Sequence, residues 1–110
     1  MSRICVAAAV AVTALNGCVQ NAPTCSQPET VALVLQIAGE HRSVAMLQKI
    51  HNATLSLDAI RTVETNRQTG AHSCEAEFLI ASVRFNQKFD ITYESELTDD
   101  NRHYVTVFDL

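Results

Sequence analysis

The sequence has no tryptophan, only three glycines and two prolines, and no excess of basic residues. Eight Lys and Arg residues against twelve Asp and Glu residues give a net charge of −4. Binding to a nucleic-acid backbone is therefore not expected. The scarcity of glycine argues against a glycine-rich loop that cradles phosphates. With 110 residues, of which 47% are hydrophobic, the chain is long enough for one globular domain.

Charge is also missing from the start of the chain, where Arg3 is the only charged side chain in the first 28 residues. An apolar run follows it from Ile4 to Leu15. As a helix this run would be about 18 Å long, which is too short for a bilayer core of about 30 Å. A short positive start and a short apolar run that ends in small residues are typical of a secretory signal peptide.

The apolar run ends in the residues LNGC at positions 15–18, which resemble the lipobox of bacterial lipoproteins. The resemblance implies that residues 1–17 are a signal peptide and that Cys18 carries acyl chains, palmitate among them, as a membrane anchor. Val19 stands where an Asp would retain such a protein at the inner membrane. The resemblance therefore implies an outer-membrane lipoprotein that faces the periplasm. A plain secreted protein cut nearby is the alternative.

The four cysteines are Cys5, Cys18, Cys25 and Cys74. If Cys5 leaves with the signal peptide and Cys18 takes lipid, Cys25 and Cys74 remain in an oxidising compartment, where a disulfide between them is expected. The alternative is two separate thiols. No CxxC motif is present, so neither a catalytic redox pair nor a zinc ribbon is predicted. Residues 18–24 are predicted to form a short tether and residues 25–110 a single domain.

A helical pattern opens the predicted domain. Over residues 27–50 apolar side chains recur at helical spacing, among them Val31, Val34, Leu35 and Ala38. Ser26 and Glu29 have the spacing of a capping box at the start of this region, and Asn52 is a suitable stop. Gly39 and Ser43 interrupt the region, so the pattern predicts one bent helix or two short ones.

After Asn52 the apolar period changes to two, which predicts strands. Four such segments are separated by turn residues: about 55–65, 74–80, 89–93 and 103–110. The fold class is therefore predicted as α+β, with an N-terminal helix, bent or split, packed on a four-stranded antiparallel meander sheet. In outline only, this arrangement resembles cystatin-like or small NTF2-like domains.

Side chains with chemical potential do not assemble into a catalytic or metal-binding motif in the sequence. The histidines are His41, His51, His72 and His103. No pair has the spacing of a helical metal site, and no Cys–His spacing matches a zinc module. No metal and no cofactor are therefore predicted. Because no catalytic constellation can be assembled, the chain is not predicted to be an enzyme.

Acidic residues stand out on the predicted strands. Those expected to share one face of the sheet are Glu75, Glu77, Asp90, Glu94 and Glu96. The basic residues that could offset them are Arg61, Arg67, Arg84 and Lys88. One interpretation is a solvated sheet face with cross-strand ion pairs. The other is an acidic surface for a basic partner.

Three functional hypotheses follow from these features. The first is a lipid-anchored periplasmic domain that acts as a protein-binding or assembly module of the cell envelope. The second is an inhibitor or immunity protein that neutralises an enzyme attacking the envelope. The third is an enzyme or ligand carrier with an apolar pocket between helix and sheet, lined by Phe78, Ile91 or Tyr93. The sequence does not give the oligomeric state.

Overall fold

A computed structural model describes residues 21–110. In this part of the chain two helices precede four strands, which form one antiparallel sheet in the order β1-β2-β3-β4. The elements are α1 (Pro28–Glu40), α2 (Arg42–His51), β1 (Thr54–Thr65), β2 (His72–Ala81), β3 (Asn86–Leu97) and β4 (His103–Phe108). The predicted α+β class, with a split helix and a meander sheet, is confirmed. The predicted signal peptide over residues 1–17 and the predicted lipid acceptor Cys18 lie outside the described residues.

Helix α1 begins without the predicted capping box. Gln27 is its N-cap residue, with φ −64° and ψ 143°, and no side chain caps the helix. The Gln27 side chain accepts a hydrogen bond from the Thr24 N–H at 2.7 Å instead. Pro28 occupies the first turn, where no backbone donor is needed. The capping box predicted for Ser26 and Glu29 is therefore wrong, because the helix begins one residue too late for it.

The helical region divides at His41, whose φ of −68° and ψ of 131° are extended. The His41 N–H donates to the Ala38 carbonyl at 3.1 Å, and its own carbonyl accepts from the Ala45 N–H at 2.8 Å. Helix α2 ends at His51, and its C-cap residue Asn52 has the left-handed φ of 54° that asparagine tolerates. The predicted split and the predicted stop are both confirmed, and the break lies between the two residues expected to interrupt the helix.

Strand β1 contains a bulge near its middle. Its pairing with β2 shifts register between Asp58 and Arg61. Ala59 has a positive φ of 50° there, and its N–H donates to the Asp58 carboxylate at 2.9 Å. A bulge of this kind bends the strand and raises its twist.

The inner face of the sheet is apolar and packs against α1. Along β2, buried and half-buried residues alternate without exception. The buried apolar residues of β2 and β3 are Cys74, Ala76, Phe78, Ile80, Ile91 and Tyr93. They form one cluster with Val34 and Ala38 of α1. Burial of a side chain as large as Phe78 stabilises the fold by about 1.5–3 kcal/mol.

Phe89 lies on the same inner face of the sheet as Ile91 and Tyr93. It lies opposite Phe78 in the ladder, with the two rings 6.5 Å apart, yet 45% of it is exposed. The first five residues of β3 are all exposed, so the inner face of β3 itself is covered only beyond them.

Candidate functional site

The outer face of the sheet, turned away from the buried cluster, is the first candidate site. Register places Asp58 of β1 and Asp90 of β3 directly opposite Glu77 of β2. Three carboxylate residues thus stand side by side across three strands. Directly opposite residues in antiparallel strands have Cβ atoms about 4.5–5.5 Å apart, and like charges at that spacing destabilise the sheet.

Two basic side chains pair with this face. Arg61 forms an ion pair with Glu75, and the Lys88 Nζ atom lies 3.8 Å from a Glu77 carboxylate oxygen. Both basic side chains are largely exposed, and exposed pairs of this kind contribute about 0.2–1 kcal/mol each. Arg67 and Arg84, also expected to offset the acidic charge, lie in the turns at the two ends of β2 and form no ion pair within residues 21–110.

A depression of about 360 Å³ opens on the same face. Its charged lining residues are Arg61, Glu75, Glu77, Asp90 and Asp109. It contains three of the five predicted partner-surface residues. The other two, Glu94 and Glu96, lie further along β3 opposite Thr106 and Tyr104, outside the depression. The sequence missed Asp58 and Asp109, because neither the register of β1 nor the course of the last residues could be predicted.

The carboxylates are spread along the face and are not gathered around a point. Among residues 21–110 no group of three His, Cys, Asp or Glu side chains is arranged to hold a metal ion. The arrangement is instead suited to a partner that carries several positive charges, because adjacent strands present the carboxylates as a row.

A second feature lies at the opposite end of β3, where residues 22–25 are held against the sheet; we call them the N-terminal clamp. The Ala22 N–H donates to the Gly70 carbonyl at 3.0 Å. His72, which is buried, donates from Nε2 to the Ala22 carbonyl at 3.1 Å, and its Nδ1 lies 2.9 Å from the Thr65 hydroxyl oxygen. Residues 22–24 of the clamp belong to the predicted tether, so the part of the chain that packs against the sheet begins before Cys25.

Two buried hydroxyls of β3 complete the N-terminal clamp. Ser95 donates to the Pro23 carbonyl at 2.7 Å, and Tyr93 donates to the Cys25 carbonyl at 2.8 Å. Burial raises the pKa of Tyr93 to about 12, so its hydroxyl stays protonated as a donor. A sequence signal for the clamp exists in hindsight, because Ser95 interrupts the inward row and a buried polar group needs a partner.

Cys25 and Cys74 lie at disulfide distance, with their Cα atoms 5.8 Å apart, and are bonded. The disulfide joins the last residue of the N-terminal clamp, Cys25, to strand β2 at Cys74. The predicted pairing is thus present in the structure.

Ser95 also contacts a histidine and, through it, a carboxylate. The Nε2 atom of His103 lies 2.7 Å from the Ser95 hydroxyl oxygen, and its Nδ1 lies 3.6 Å from a Glu29 carboxylate oxygen. These are the residue types of a hydrolytic triad. Ser95 is fully buried, however, and its proton is directed at Pro23, so a substrate carbonyl has no path to it in this structure. Burial lowers the pKa of His103, and the Glu29 carboxylate opposes that shift.

The space between helix and sheet, where the third hypothesis needs an apolar pocket, is filled. Phe78, Ile91 and Tyr93 are each only 1% exposed and pack in the core cluster. No helix within residues 21–110 is long and apolar enough to cross a membrane.

Comparisons with protein-family models, with curated proteins and with solved structures give no match for this chain.

Proposed function

We propose that this chain is a lipid-anchored protein of the bacterial envelope that binds a basic protein partner through the outer face of its sheet. The observation that carries the proposal is the row formed by Asp58, Glu77 and Asp90, which stand opposite one another on adjacent strands. The row faces solvent beside an open depression.

The row is electrostatically unfavourable in the isolated domain. Like charges on directly opposite residues cost stability. Among residues 21–110, Lys88 pairs with Glu77 of the row and Arg61 pairs with the neighbouring Glu75, and both ion pairs are exposed. A cationic partner that covers the face would relieve this repulsion. The same charges would speed encounter with that partner at low salt.

The anchor part of the proposal depends on the lipobox-like residues LNGC at positions 15–18 and on Val19. Because the N-terminal clamp starts at Ala22, three residues separate it from Cys18. The Cα atoms of Cys18 and Ala22 are four residue steps apart, which is at most about 14 Å. The clamped end of the domain would therefore lie close to the membrane, on the periplasmic side of the outer membrane.

The anchor is tested by replacing Cys18 with Ser in the full chain and labelling cells with palmitate. We expect Cys18→Ser to lose the label and to appear in the soluble fraction. Cys5→Ser is the matched control and should keep both label and membrane association. Continued labelling of Cys18→Ser would place the anchor elsewhere.

The partner surface is tested by crosslinking and pull-down from envelope membranes. The variant Asp58→Asn/Glu77→Gln/Asp90→Asn should lose a protein that the wild type recovers. The control Glu40→Gln/Glu64→Gln/Asp99→Asn removes the same charge from exposed positions away from the depression and should keep it. Recovery of no specific protein by the wild type, or equal recovery by both variants, would contradict the proposal.

The alternative is an inhibitor or immunity protein that uses the same acidic face of the sheet. The acidic depression favours a cationic enzyme as the target. The purified protein would then inhibit a cationic envelope hydrolase, and the Asp58→Asn/Glu77→Gln/Asp90→Asn variant would not. A partner without enzymatic activity would decide in favour of the assembly module.

A further inference from the structure

Strand β3 is longer than the strand beside it, and part of its edge is open. β4 pairs with β3 from Leu97 down to Thr92, which lies opposite Phe108. β3 itself begins at Asn86. Residues 86–91 therefore have β2 on one side and no strand of the described chain on the other.

The direction of the backbone groups along this edge follows from two hydrogen bonds at the strand ends. Thr98 N–H donates to Arg102 O at 2.8 Å just beyond the β3–β4 ladder, and Ser82 N–H donates to Phe85 O at 2.8 Å just beyond the β2–β3 ladder. Hydrogen-bonded pairs alternate along an antiparallel ladder. Counting in steps of two from the Thr98 pair shows that the even-numbered residues of β3 direct their N–H and C=O groups toward β4. Counting from the Phe85 pair shows that the odd-numbered residues direct theirs toward β2, which agrees.

Lys88 and Asp90 consequently present their backbone N–H and C=O groups to the open edge. The end of β4 does not cover them, because Asp109 has a positive φ of 67° and turns the chain aside. The Asp109 carboxylate accepts a hydrogen bond from the Thr92 hydroxyl at 3.3 Å, which places that carboxylate next to the open edge.

The side chains around the open edge differ on the two faces of the sheet. On the outer face, Glu77, Asp90 and Asp109 line the acidic depression. On the inner face, Phe89 leaves 45% of its surface exposed beside the buried Phe78. A strand added here would turn alternate side chains to an acidic face and to an aromatic ring.

We propose that the open edge of β3 receives an extended segment of the basic partner as an added strand, in which basic and apolar residues alternate. This inference rests on the proposed function and specifies how that partner binds. Main-chain hydrogen bonds to Lys88 and Asp90 give affinity, and the side-chain pockets give specificity, as in other cases of strand addition. A basic side chain opposite Asp90 lies over the depression, and its apolar neighbour lies against Phe89.

The other edge of the sheet is a poorer template for pairing. β1 carries a bulge at Ala59 and two shifts of register. Bulges twist an edge strand away from an incoming chain. The open part of β3 has continuous register with β2 from Asn86 to Ile91.

The first test compares Lys88→Pro with Lys88→Ala. Both variants lose the lysine side chain, and only the proline variant loses the N–H that faces the open edge. The β2–β3 ladder does not use that N–H, and proline is tolerated at such an edge position. The probe is a fluorescein-labelled peptide, acetyl-Thr-Lys-Val-Lys-Val-Lys-Thr-amide, and the readout is fluorescence anisotropy. Lys88→Ala should bind at least as well as the wild type, and Lys88→Pro should bind about tenfold or more weakly.

The second test leaves the protein unchanged, so it holds even if Lys88→Pro fails to fold. Two versions of the peptide are compared, one N-methylated at every second amide and the other at the remaining amides. Both keep the charge of the original peptide. A strand added to β3 hydrogen-bonds through one set only. One methylated peptide should therefore lose binding to the wild type, and the other should keep it.

The outcomes separate this inference from the proposed function. Equal binding of both methylated peptides overturns strand addition. If the variant Asp58→Asn/Glu77→Gln/Asp90→Asn nevertheless binds these peptides more weakly than the wild type, the acidic face remains a partner surface, and only strand addition is ruled out. No binding of any peptide, together with a membrane partner that depends on the acidic row, would likewise overturn the inference alone. Self-association through this edge, seen as a dimer lost in Lys88→Pro, would assign the edge to a second copy instead.

Discussion

At the scale of single residues, Thr30 has a fully buried hydroxyl with no hydrogen-bond partner among residues 21–110. An unsatisfied buried hydroxyl costs about 1–3 kcal/mol. Valine has the same shape without the polar atom. We expect Thr30→Val to raise the free energy of unfolding in urea by about 1 kcal/mol. Thr54→Val, at an exposed position on β1, is the control and should give no such gain.

His103 gives a pH dependence at the same scale. Burial lowers its pKa in the folded protein below the ordinary 6.5, although the Glu29 carboxylate opposes the shift. The unfolded chain therefore takes up the proton first as pH falls. The contribution of neutral His103 to stability is complete above about pH 6.5 and is lost as pH falls through the lowered folded pKa.

This dependence is measured as the free energy of unfolding from about pH 7.5 to pH 5.5, the range that spans an ordinary histidine. The wild type should lose stability over that range, and His103→Gln should lose less. An NMR titration of the His103 ring gives an independent check. In Glu29→Gln the ring should titrate lower still, because the opposing carboxylate is gone. A His103 pKa above that of a free histidine would contradict the expectation.

Single residues also show what the sequence could and could not predict. The outward carboxylates Glu75, Glu77 and Asp90 were predictable, because a period of two puts alternate residues on one face. The partner of Ser95 was not, because Pro23 lies 72 residues away along the chain. Local patterns indicate the face of a strand, whereas contacts between distant segments depend on the assembled fold.

At the scale of elements, the disulfide and the N-terminal clamp hold the start of α1 to the sheet. Cys25 and Cys74 close a separation of 49 residues, which a chain-entropy estimate values at about 4 kcal/mol. We expect replacement of both cysteines by Ser to lower the free energy of unfolding by about 2–4 kcal/mol. The fold should survive, because Tyr93 and Ser95 still bind the clamp.

Local loosening in the double Cys→Ser variant should appear first at the start of α1. Thr30 and Val31 donate their N–H groups to Gln27 there, only a few residues from the lost bridge. Hydrogen exchange at these two amides should accelerate more than at the core amides of β2. Uniform acceleration along the whole chain would show that the bridge acts only through the unfolded state.

The elements themselves were mostly predictable, and their ends were less so. The split of the helical region was expected from Gly39 and Ser43, but the break lies at His41, where the backbone becomes extended. The cap of α1 was misplaced, because Gln27 and not Ser26 is the N-cap residue, and the Gln27 side chain accepts a hydrogen bond from the Thr24 N–H. Helix ends depend on such short-range competition between side chains and backbone.

At the scale of the whole molecule, the N-terminal clamp and the open edge of β3 lie at opposite ends of one strand. Ser95 of the clamp and Lys88 of the open edge are seven residues apart. At about 3.3 Å per residue this separation is about 23 Å. If the anchor holds the clamped end near the membrane, the open edge lies up to about 23 Å further from that end, within reach of a partner in the periplasm.

The salt dependence of partner binding follows from the same distribution of charge. The Debye length shortens from about 10 Å at 0.1 M salt to about 3 Å at 1 M salt, so exposed charges lose most of their mutual influence. The row of Asp58, Glu77 and Asp90 is exposed or half-exposed, and its attraction for a basic partner should weaken accordingly.

We expect the association rate constant of the wild type with its partner to fall at least about tenfold between those two salt concentrations. The dissociation rate constant should change less, because short-range contacts set it. The variant Asp58→Asn/Glu77→Gln/Asp90→Asn should associate slowly at both concentrations. Surface plasmon resonance with the full-length partner separates the two rate constants. If the wild type associates equally fast at low and high salt, the acidic row does not guide the encounter. The outer face of the sheet is then a solvated surface, on which Arg61 pairs with Glu75 and Lys88 pairs with Glu77.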